Sequence, residues 1–599
     1  MPATMGISRS ILTKKVLKDF LGGVLLLWPV FAGAGEVEDR IREQALKRQA
    51  GDAVAIAGES IASQDLLVAL YEKQGFEPLW KKSKARQWLS IVKASGEQGF
   101  TPGDYHAGAL ENLFNLLESG QFSSADRADF DLLLTDSLVR LLYHLQFGRI
   151  DPARLDRTWS FERVSDGGSP LEEIALALAQ GDLQGLVDRA APRHPFYLKL
   201  QDALKTYRTI QAEGGWGRVP EGESLRQGMR HTRVAALKER LRRGGEWRGD
   251  SRNTLFDAEL GTAVRHFQRS VSLPENGIVS GKTLQALNVP VETRIEQISV
   301  NLERARWVLP VLPETYVQVD IANYRASLVK EGQSLWETRV QVGKPQRQTP
   351  TVHSAINHLV LNPTWTVPPV VLGKDILPEL RKDPEYLSRK GLKLITRKGG
   401  AVNPMDVDWE SQSGKGLPYL IRQDAGAGNA LGRIKFMFNN PYSIYLHDTP
   451  KKKLFAREDR AFSSGCVRVE GPTDLALILL ESTERWNLDK LQQAMSGSRT
   501  QAVMLKKPVP IFVLYWTVGL NRQGELTFRP DIYGRDRRML TELNQPFHFF
   551  NPRRRSEAIT SVEQLGWHLP PSTPVSSNNR VELKDRDMPR DNTLATGLL

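Results

Sequence analysis

The sequence predicts a multidomain α+β protein with a helical N-terminal scaffold, a small three-helix module, a mainly β C-terminal domain and a disordered tail. Three observations lead there. The 599 residues exceed what one hydrophobic core fills, which suggests three or four modules. Apolar spacing follows the helical period up to about residue 290 and changes to strand-like alternation at Tyr316. The last stretch, 552–599, is Pro-, Ser- and Asn-rich with mixed charge, a composition that does not sustain a core. Elsewhere the 40% hydrophobic content supports packed cores. The formal charge of +12 favours an anionic partner but does not choose among nucleic acid, lipid headgroups and an acidic polymer.

Residues 1–34 read as an export signal. Arg9, Lys14, Lys15 and Lys18 precede the apolar run Phe20–Phe31, and Ala32-Gly33-Ala34 is a small-residue cleavage site. The segment is either removed or kept as an anchor. Both readings put the bulk of the chain outside the cytoplasm, and any membrane contact runs through this segment alone. The run is the only long apolar stretch, which excludes a polytopic membrane protein. One cysteine, Cys466, excludes an intrachain disulfide framework and Cys-rich metal sites.

Residues 36–228 read as a helical scaffold. Ser63 precedes Leu66, Leu67 and Leu70, and Gly75 ends that helix; a second helix around Ser83–Glu97 stops at Gly99. The two stops echo each other, Gln74-Gly75-Phe76-Glu77-Pro78 and Gln98-Gly99-Phe100-Thr101-Pro102. A long helix follows over Ser124–Phe147. Nothing in this region groups catalytic residue types.

Residues 229–290 form a compact unit. Val234, Leu237 and Leu241 share one helical face, Leu260, Val264 and Phe267 a second, and Leu284 and Leu287 a third. Ser280-Gly281-Lys282-Thr283 imitates the end of a phosphate-binding loop, but Asn276 stands where that loop carries its first Gly and no strand leads in.

Residues 315–550 read as mainly β. Tyr316–Ile321, Thr338–Val342 and Tyr442–Leu446 alternate, His358–Asn362 is more continuously apolar, and Ile511–Thr517 and Glu525–Phe528 are expected to return to the same sheet. Pro472 opens a helix expected over Thr473–Glu484. The charged, Gly-containing stretch at about 374–428 is either a substrate-covering lid or a decorative insertion, and the lid is favoured.

Cys466 lies in Phe462-Ser463-Ser464-Gly465-Cys466-Val467-Arg468-Val469, and His447 sits at the tip of the Tyr445-Leu446-His447-Asp448 segment. A cysteine nucleophile needs a base nearby, because the thiolate attacks and free thiol is mostly protonated. A lone cysteine is more often core filling. The Gly/Ser context, the export without disulfides and Arg468 two residues on weigh towards chemistry. His353 and His358, five apart, fall on opposite faces of a straight strand, and no HExxH pattern exists; neither metal nor cofactor is expected.

Two resemblances join these readings. Phe256-Asp257, Ala263-Val264, Phe267-Gln268, Asn276-Gly277, Thr283-Leu284 and Leu287-Asn288 resemble the type 1 peptidoglycan-binding domain, a three-helix module; a helical insert that has lost sugar binding is the alternative. His447 with Ser463-Ser464-Gly465-Cys466-Val467-Arg468 resembles the signature of YkuD-type L,D-transpeptidases, in the version found in large periplasmic YcbB-like members. Three more segments resemble the same family: Val342-Gly343-Lys344-Pro345 with Gln348-Thr349-Pro350, Asn362–Pro369, and Asn429–Phe436. Many smaller members carry His and Asn where Ser464 and Arg468 stand, so roles at those two positions do not transfer.

The resemblance implies a periplasmic enzyme forming 3→3 cross-links in peptidoglycan, with peptidoglycan stem peptides and glycan as partners and no nucleic acid. Cys466 would attack the third residue of a stem peptide and expel D-Ala, with His447 as acid and base. The N–H groups around Gly465 and Cys466 would hold the oxyanion, with Ser464 beside them. Asp448 would orient His447 through its carbonyl, since its side chain faces away on a strand. Arg468 would steer a carboxylate or favour the thiolate, a buried ion pair being the alternative. Arg422, Arg433 and Lys435 are candidates for substrate carboxylates, and Trp365 and Tyr445 for pocket walls. L,D-carboxypeptidase or endopeptidase activity, lipoprotein anchoring, and an idle wall-binding scaffold are the rivals.

Overall fold

The computed structural model describes residues 35–47, 54–156, 158–159, 161, 164–165, 170–413, 416–481, 485–546 and 553–554. The expected export signal at 1–34 lies outside the described residues, as does the expected tail at 552–599 apart from residues 553–554. Among the described residues no helix is long and apolar enough to cross a membrane.

The N-terminal region is helical, as its periodicity predicts. The helix Ser124–Phe147 runs through its centre, opened by a reciprocal cap in which the Ser123 hydroxyl accepts the Asp126 N–H and the Asp126 carboxylate accepts the Ser123 N–H. Around it pack Glu36–Leu46, Gln64–Lys73, Lys82–Ala94, Ala107–Ser119, Pro170–Gln180 and Leu183–Ala190. The central helix also buries carboxylates, and each is satisfied. Asp131 accepts the Tyr71 hydroxyl at 2.6 Å and the N–H groups of Leu79 and Trp80; burial pushes its carboxyl up to about 6. Asp136 accepts the Ser63 hydroxyl at 2.5 Å and the His106 ring at 2.8 Å, and it forms an ion pair with the Arg140 guanidinium at 2.5 Å. Because unpartnered buried polar groups are costly, this network admits one mutual arrangement of the helices.

The helices Thr232–Arg243, Ala258–Ser270 and Gly281–Leu287 enclose their own small core. Gln268 clamps the Asn276-Gly277 turn, donating to the Asn276 side chain at 2.8 Å and accepting the Gly277 N–H at 2.9 Å. This module is an insert, because Pro195–Ala212 before it packs against Val291–Val308 after it.

The Val291–Val308 helix spans a stretch to which the sequence reading assigned no element. It is buried on nearly all sides and joins the scaffold to the β region through paired polar groups. Gln297 donates to the carbonyls of Thr517 and Arg529, both at 2.8 Å; Asn301 donates to the Thr517 hydroxyl at 2.7 Å; Arg304 pairs with Asp536 at 2.7 Å.

The β region is built on one nine-stranded mixed sheet. Its strands are β1 Thr315–Asp320, β2 Arg325–Lys330, β3 Gln333–Gly343, β4 Val352–Leu361, β5 Ile434–Phe438, β6 Leu446–His447, β7 Ala461–Ser463, β8 Val467–Val469 and β9 Gln501–Leu514. The order is β7-β3-β8-β6-β5-β4-β9-β1-β2, and an additional β2–β3 pairing closes the sheet on itself. Alternate residues such as Val340, Val342, Ile434, Phe436, Leu446, Val467 and Val469 fill the interior.

Three expectations change. Of Tyr442–Leu446 only Leu446 joins the ladder, because the Asn440 side chain accepts the N–H groups of Tyr442 and Ile444 and curls the chain into a loop. Leu526–Phe528 does not return to the main sheet: it pairs with Val518–Leu520 in a separate ribbon packed on the inter-domain core. The helix after Pro472 ends at Leu479. Between β4 and β5, Trp365–Thr366, Leu392–Thr396, Ala401–Val402 and Tyr419–Gln423 form a four-stranded sheet with its own core, which draws on Val367 and Leu372, upstream of residue 374.

Replacing Asp136 by Leu strands the buried Arg140 and His106 and is expected to cost about 3–5 kcal/mol. Denaturant unfolding followed by circular dichroism checks this; a midpoint within error of wild type would show the network carries no stability.

Candidate active site

The register of four short strands builds the site. Lys435 on β5 pairs with His447 on β6, His447 with Arg468 on β8, and Arg468 with Gln341 on β3. Directly opposed residues share a sheet face, so these four side chains form one row across the outside of the barrel. Two residues from His447 and Arg468, Tyr445 and Cys466 share that face. The intervening residues, Leu446 and Val467, point into the core. The thiol and the imidazole are therefore diagonal neighbours on adjacent parallel strands.

Small and hydroxyl side chains set the turn that presents the thiol. Gly465 takes φ +122°, which side chains rarely tolerate. The Ser463 hydroxyl accepts the Gly465 N–H at 3.1 Å and donates to the Cys466 carbonyl at 2.6 Å. The Thr349 hydroxyl donates to the Gly465 carbonyl at 2.8 Å and accepts the Gly343 N–H at 2.8 Å. Gly343 is needed for close approach, since a Cβ there would overlap the Arg347 carbonyl. The Gly465 N–H, expected to face an oxyanion, is thus engaged inside the turn; the Cys466 N–H has no partner among the described residues. Ser464 is exposed, and its hydroxyl accepts from Arg347 at 2.9 Å.

Cys466 is half-buried, with its sulfur 3.9 Å from the Ser443 carbonyl. Burial pushes the thiol up, and hydrogen bonds from Tyr445 with the charges of Lys435 and Arg468 offset this in part. His447 is buried. Its Nδ1 lies 2.5 Å from the Asp448 carbonyl, which only accepts, and the Leu431 backbone is a second partner. Burial first, then the Arg468 charge, pushes the imidazole down to about 3, with a smaller push from Lys435 and partial relief from the two backbone partners. Burial thus favours the neutral form of both the thiol and the imidazole.

The remaining candidates separate. The Lys435 ammonium lies 3.8 Å from the centre of the Tyr445 ring, and burial lowers its proton affinity. Arg468 donates to the Gln341 amide oxygen at 3.1 Å and has no carboxylate partner among the described residues. The Asp448 carboxylate faces away, accepting the Arg433 N–H at 2.9 Å and the Lys452 ammonium. Arg433 ties Asn362 to Gly497, both at 3.0 Å. Arg422 stands on the insert strand opposite Thr366, and Trp365 packs against the insert core, so neither joins the row. Sequence reasoning missed Gln341 and Arg347. The Arg347 guanidinium grips Asp375 of the insert (Nη2 to Oδ1 2.6 Å) as well as Ser464, a contact between segments with no local signal.

Comparison with known proteins finds matches in three parts of the chain. Residues 314–486 match the L,D-transpeptidase catalytic domain, 230–287 the "Putative peptidoglycan binding domain" and 65–204 a family described as a scaffold domain. The chain therefore carries an L,D-transpeptidase catalytic domain together with a peptidoglycan-binding domain. It is similar to the "Putative L,D-transpeptidase" of Haemophilus influenzae, 35% identical over 271 residues, covering 44% of this chain and 54% of that one. It thus spans about half the length of that curated relative. Among solved structures, it aligns with an L,D-transpeptidase of Stackebrandtia nassauensis at 14% identity and TM-score 0.19, covering 52% of this chain and 100% of that one. It also aligns with one of Mycobacterium smegmatis at 14% and 0.17, covering 34% and 58%. Both likenesses are too loose to bear on function.

Two pH dependences follow from the neutral pair. Alkylation of Cys466 by iodoacetamide should rise through a midpoint above the ordinary thiol range; a reactive plateau below pH 7 would reveal a preformed thiolate. Folded His447 binds its proton near pH 3 and the unfolded ring near 6.5, so between these values the unfolded state holds more protons. Stability should therefore rise with pH across that window, and His447→Gln should flatten the slope of the denaturant midpoint between pH 4 and 7.

Proposed function

We propose that this chain is an exported cysteine L,D-transpeptidase that forms 3→3 cross-links in peptidoglycan, in the manner of the large periplasmic YcbB-like members. One observation carries the reading: the only cysteine, one residue before β8, and a buried histidine on β6 are diagonal neighbours on one outer face, inside a segment that matches the transpeptidase family.

Cys466 sulfur attacks the carbonyl of the third stem-peptide residue, and its proton passes to the unprotonated nitrogen of His447. The oxyanion is met by the Cys466 N–H and by the positive field of Lys435 and Arg468. The carbon–nitrogen bond to D-Ala then breaks, and His447 returns the proton to the leaving amine. An acceptor amine attacks the thioester, His447 takes its proton, and the thiol is restored. The carbonyls of Asp448 and Leu431 stabilise the imidazolium during each transfer. The insert at 365–423 acts as a lid, held to the thiol turn through Asp375, Arg347 and Ser464.

Purified protein given disaccharide-tetrapeptide should release D-Ala and yield cross-linked dimers by mass spectrometry. Monomeric tripeptide alone would mean that water is the acceptor, and absence of D-Ala would overturn the reading. Cys466→Ala should abolish both products with an unchanged circular dichroism spectrum and melting curve.

A further inference from the structure

A cleft of about 720 Å³ opens between the three-helix module and the barrel, away from the thiol. The module contributes Lys282 and the 269–275 turn; the barrel contributes Tyr324, Arg325, Arg339 and the loop through Arg457 and Arg460. Lys282 clasps the two bodies at the rim, its ammonium 2.7 Å from Glu458 and 3.2 Å from Asp459.

The charges inside do not balance. Arg325 pairs with Glu337, and Glu470 holds Arg339 at 2.6 and 2.7 Å. Neither Arg457 nor Arg460 has a carboxylate within ion-pair distance among the described residues. The Arg460 guanidinium lies 5.2 Å from the centre of the Tyr324 ring, donates to the Arg457 carbonyl at 2.7 Å, and keeps a buried Nε without a partner. Burial and repulsion by Arg325 and Arg339 press its proton affinity down to about 10. Guanidinium groups crowded in this way repel one another until an anion enters among them, and the planar fork suits a carboxylate.

The cleft and the thiol lie on one continuous surface. Arg325 pairs with Arg339, and Arg339 precedes Gln341 by two residues on β3; Gln341 pairs with Arg468, on the face of Cys466. By strand geometry the straight-line separation of Cys466 and Arg325 is roughly 17 Å, about the span of five extended residues.

We propose that this cleft binds a carboxylate-bearing stem peptide of polymeric peptidoglycan, holding the polymer at a second point while another stem reacts at Cys466. The inference rests on the transpeptidase reading for its choice of polymer. A stem peptide fits better than a polyphosphate chain, because Glu337, Glu470, Glu458 and Asp459 break the positive surface into separated spots. Engagement at two points raises apparent affinity for polymer without altering chemistry on a monomer.

The test is pull-down of the full chain with purified insoluble peptidoglycan, native or with its carboxyl groups amidated, alongside turnover of soluble disaccharide-tetrapeptide. Arg460→Gln, and separately the exposed Arg457→Gln, should weaken binding to native polymer by about tenfold, the scale of one charge-assisted contact. Arg460→Lys should restore part of it. Wild type should bind amidated polymer as weakly as the variants bind native polymer, and turnover of the monomer should stay at the wild-type rate. Undiminished binding by both Gln variants, wild-type binding to amidated polymer as tight as to native, or competition by inorganic polyphosphate but not by free tetrapeptide would each overturn the proposal. Failure of wild type to turn over the tetrapeptide would instead strike the transpeptidase reading, and the pull-down would still report on the cleft.

Discussion

The register among β3, β8, β6 and β5 governs the chemistry of this domain. A slip of one residue in β8 would carry Cys466 and Arg468 into the core and bring Val467 outside. Strands of two and three residues hold few ladder bonds and cannot secure that alignment alone. The alignment comes from their surroundings: Leu446, Val467 and Val469 are locked in the barrel interior, and the Ser463–Cys466 turn is pinned by Thr349. Ring closure between β2 and β3 removes the freedom of an open edge.

That alignment also sets the electrostatics. Lys435 and Arg468 flank the thiol and imidazole, favouring negative charge on sulfur and opposing positive charge on the ring. Burial opposes charge on both. The net effect of burial is to favour the neutral form of both groups. The Asp448 side chain takes no part in this balance. Its carboxylate braces the Arg433 main chain on the far side of the strand, while its carbonyl fixes the ring proton.

The other modules matter through their attachments. The Val291–Val308 helix crosses from scaffold to β region with polar side chains buried and paired, so the two share one buried polar interface. The three-helix module is inserted just before that helix and touches the barrel through charged side chains at a rim, a wetter and weaker kind of contact. A polymer lying in the cleft would meet both bodies.

Sequence alone determined the helical scaffold, the three-helix module and the β domain, and it singled out Cys466 and His447 as candidates, because periodicity and local motif chemistry are written in nearby residues. It also indicated that Asp448 would serve through its carbonyl, since alternation along a strand is a local property. Only the tertiary structure decided that Tyr442–Ile444 leaves the ladder, that Leu526–Phe528 joins a separate ribbon, and that Arg433 spans two loops. Tertiary structure alone also put Arg347 between the insert and Ser464, and gathered Arg325, Arg339 and Arg460 at one cleft. Each of these depends on which distant segment arrives as a neighbour, and long-range packing, unlike period or spacing, leaves no mark in the order of adjacent residues.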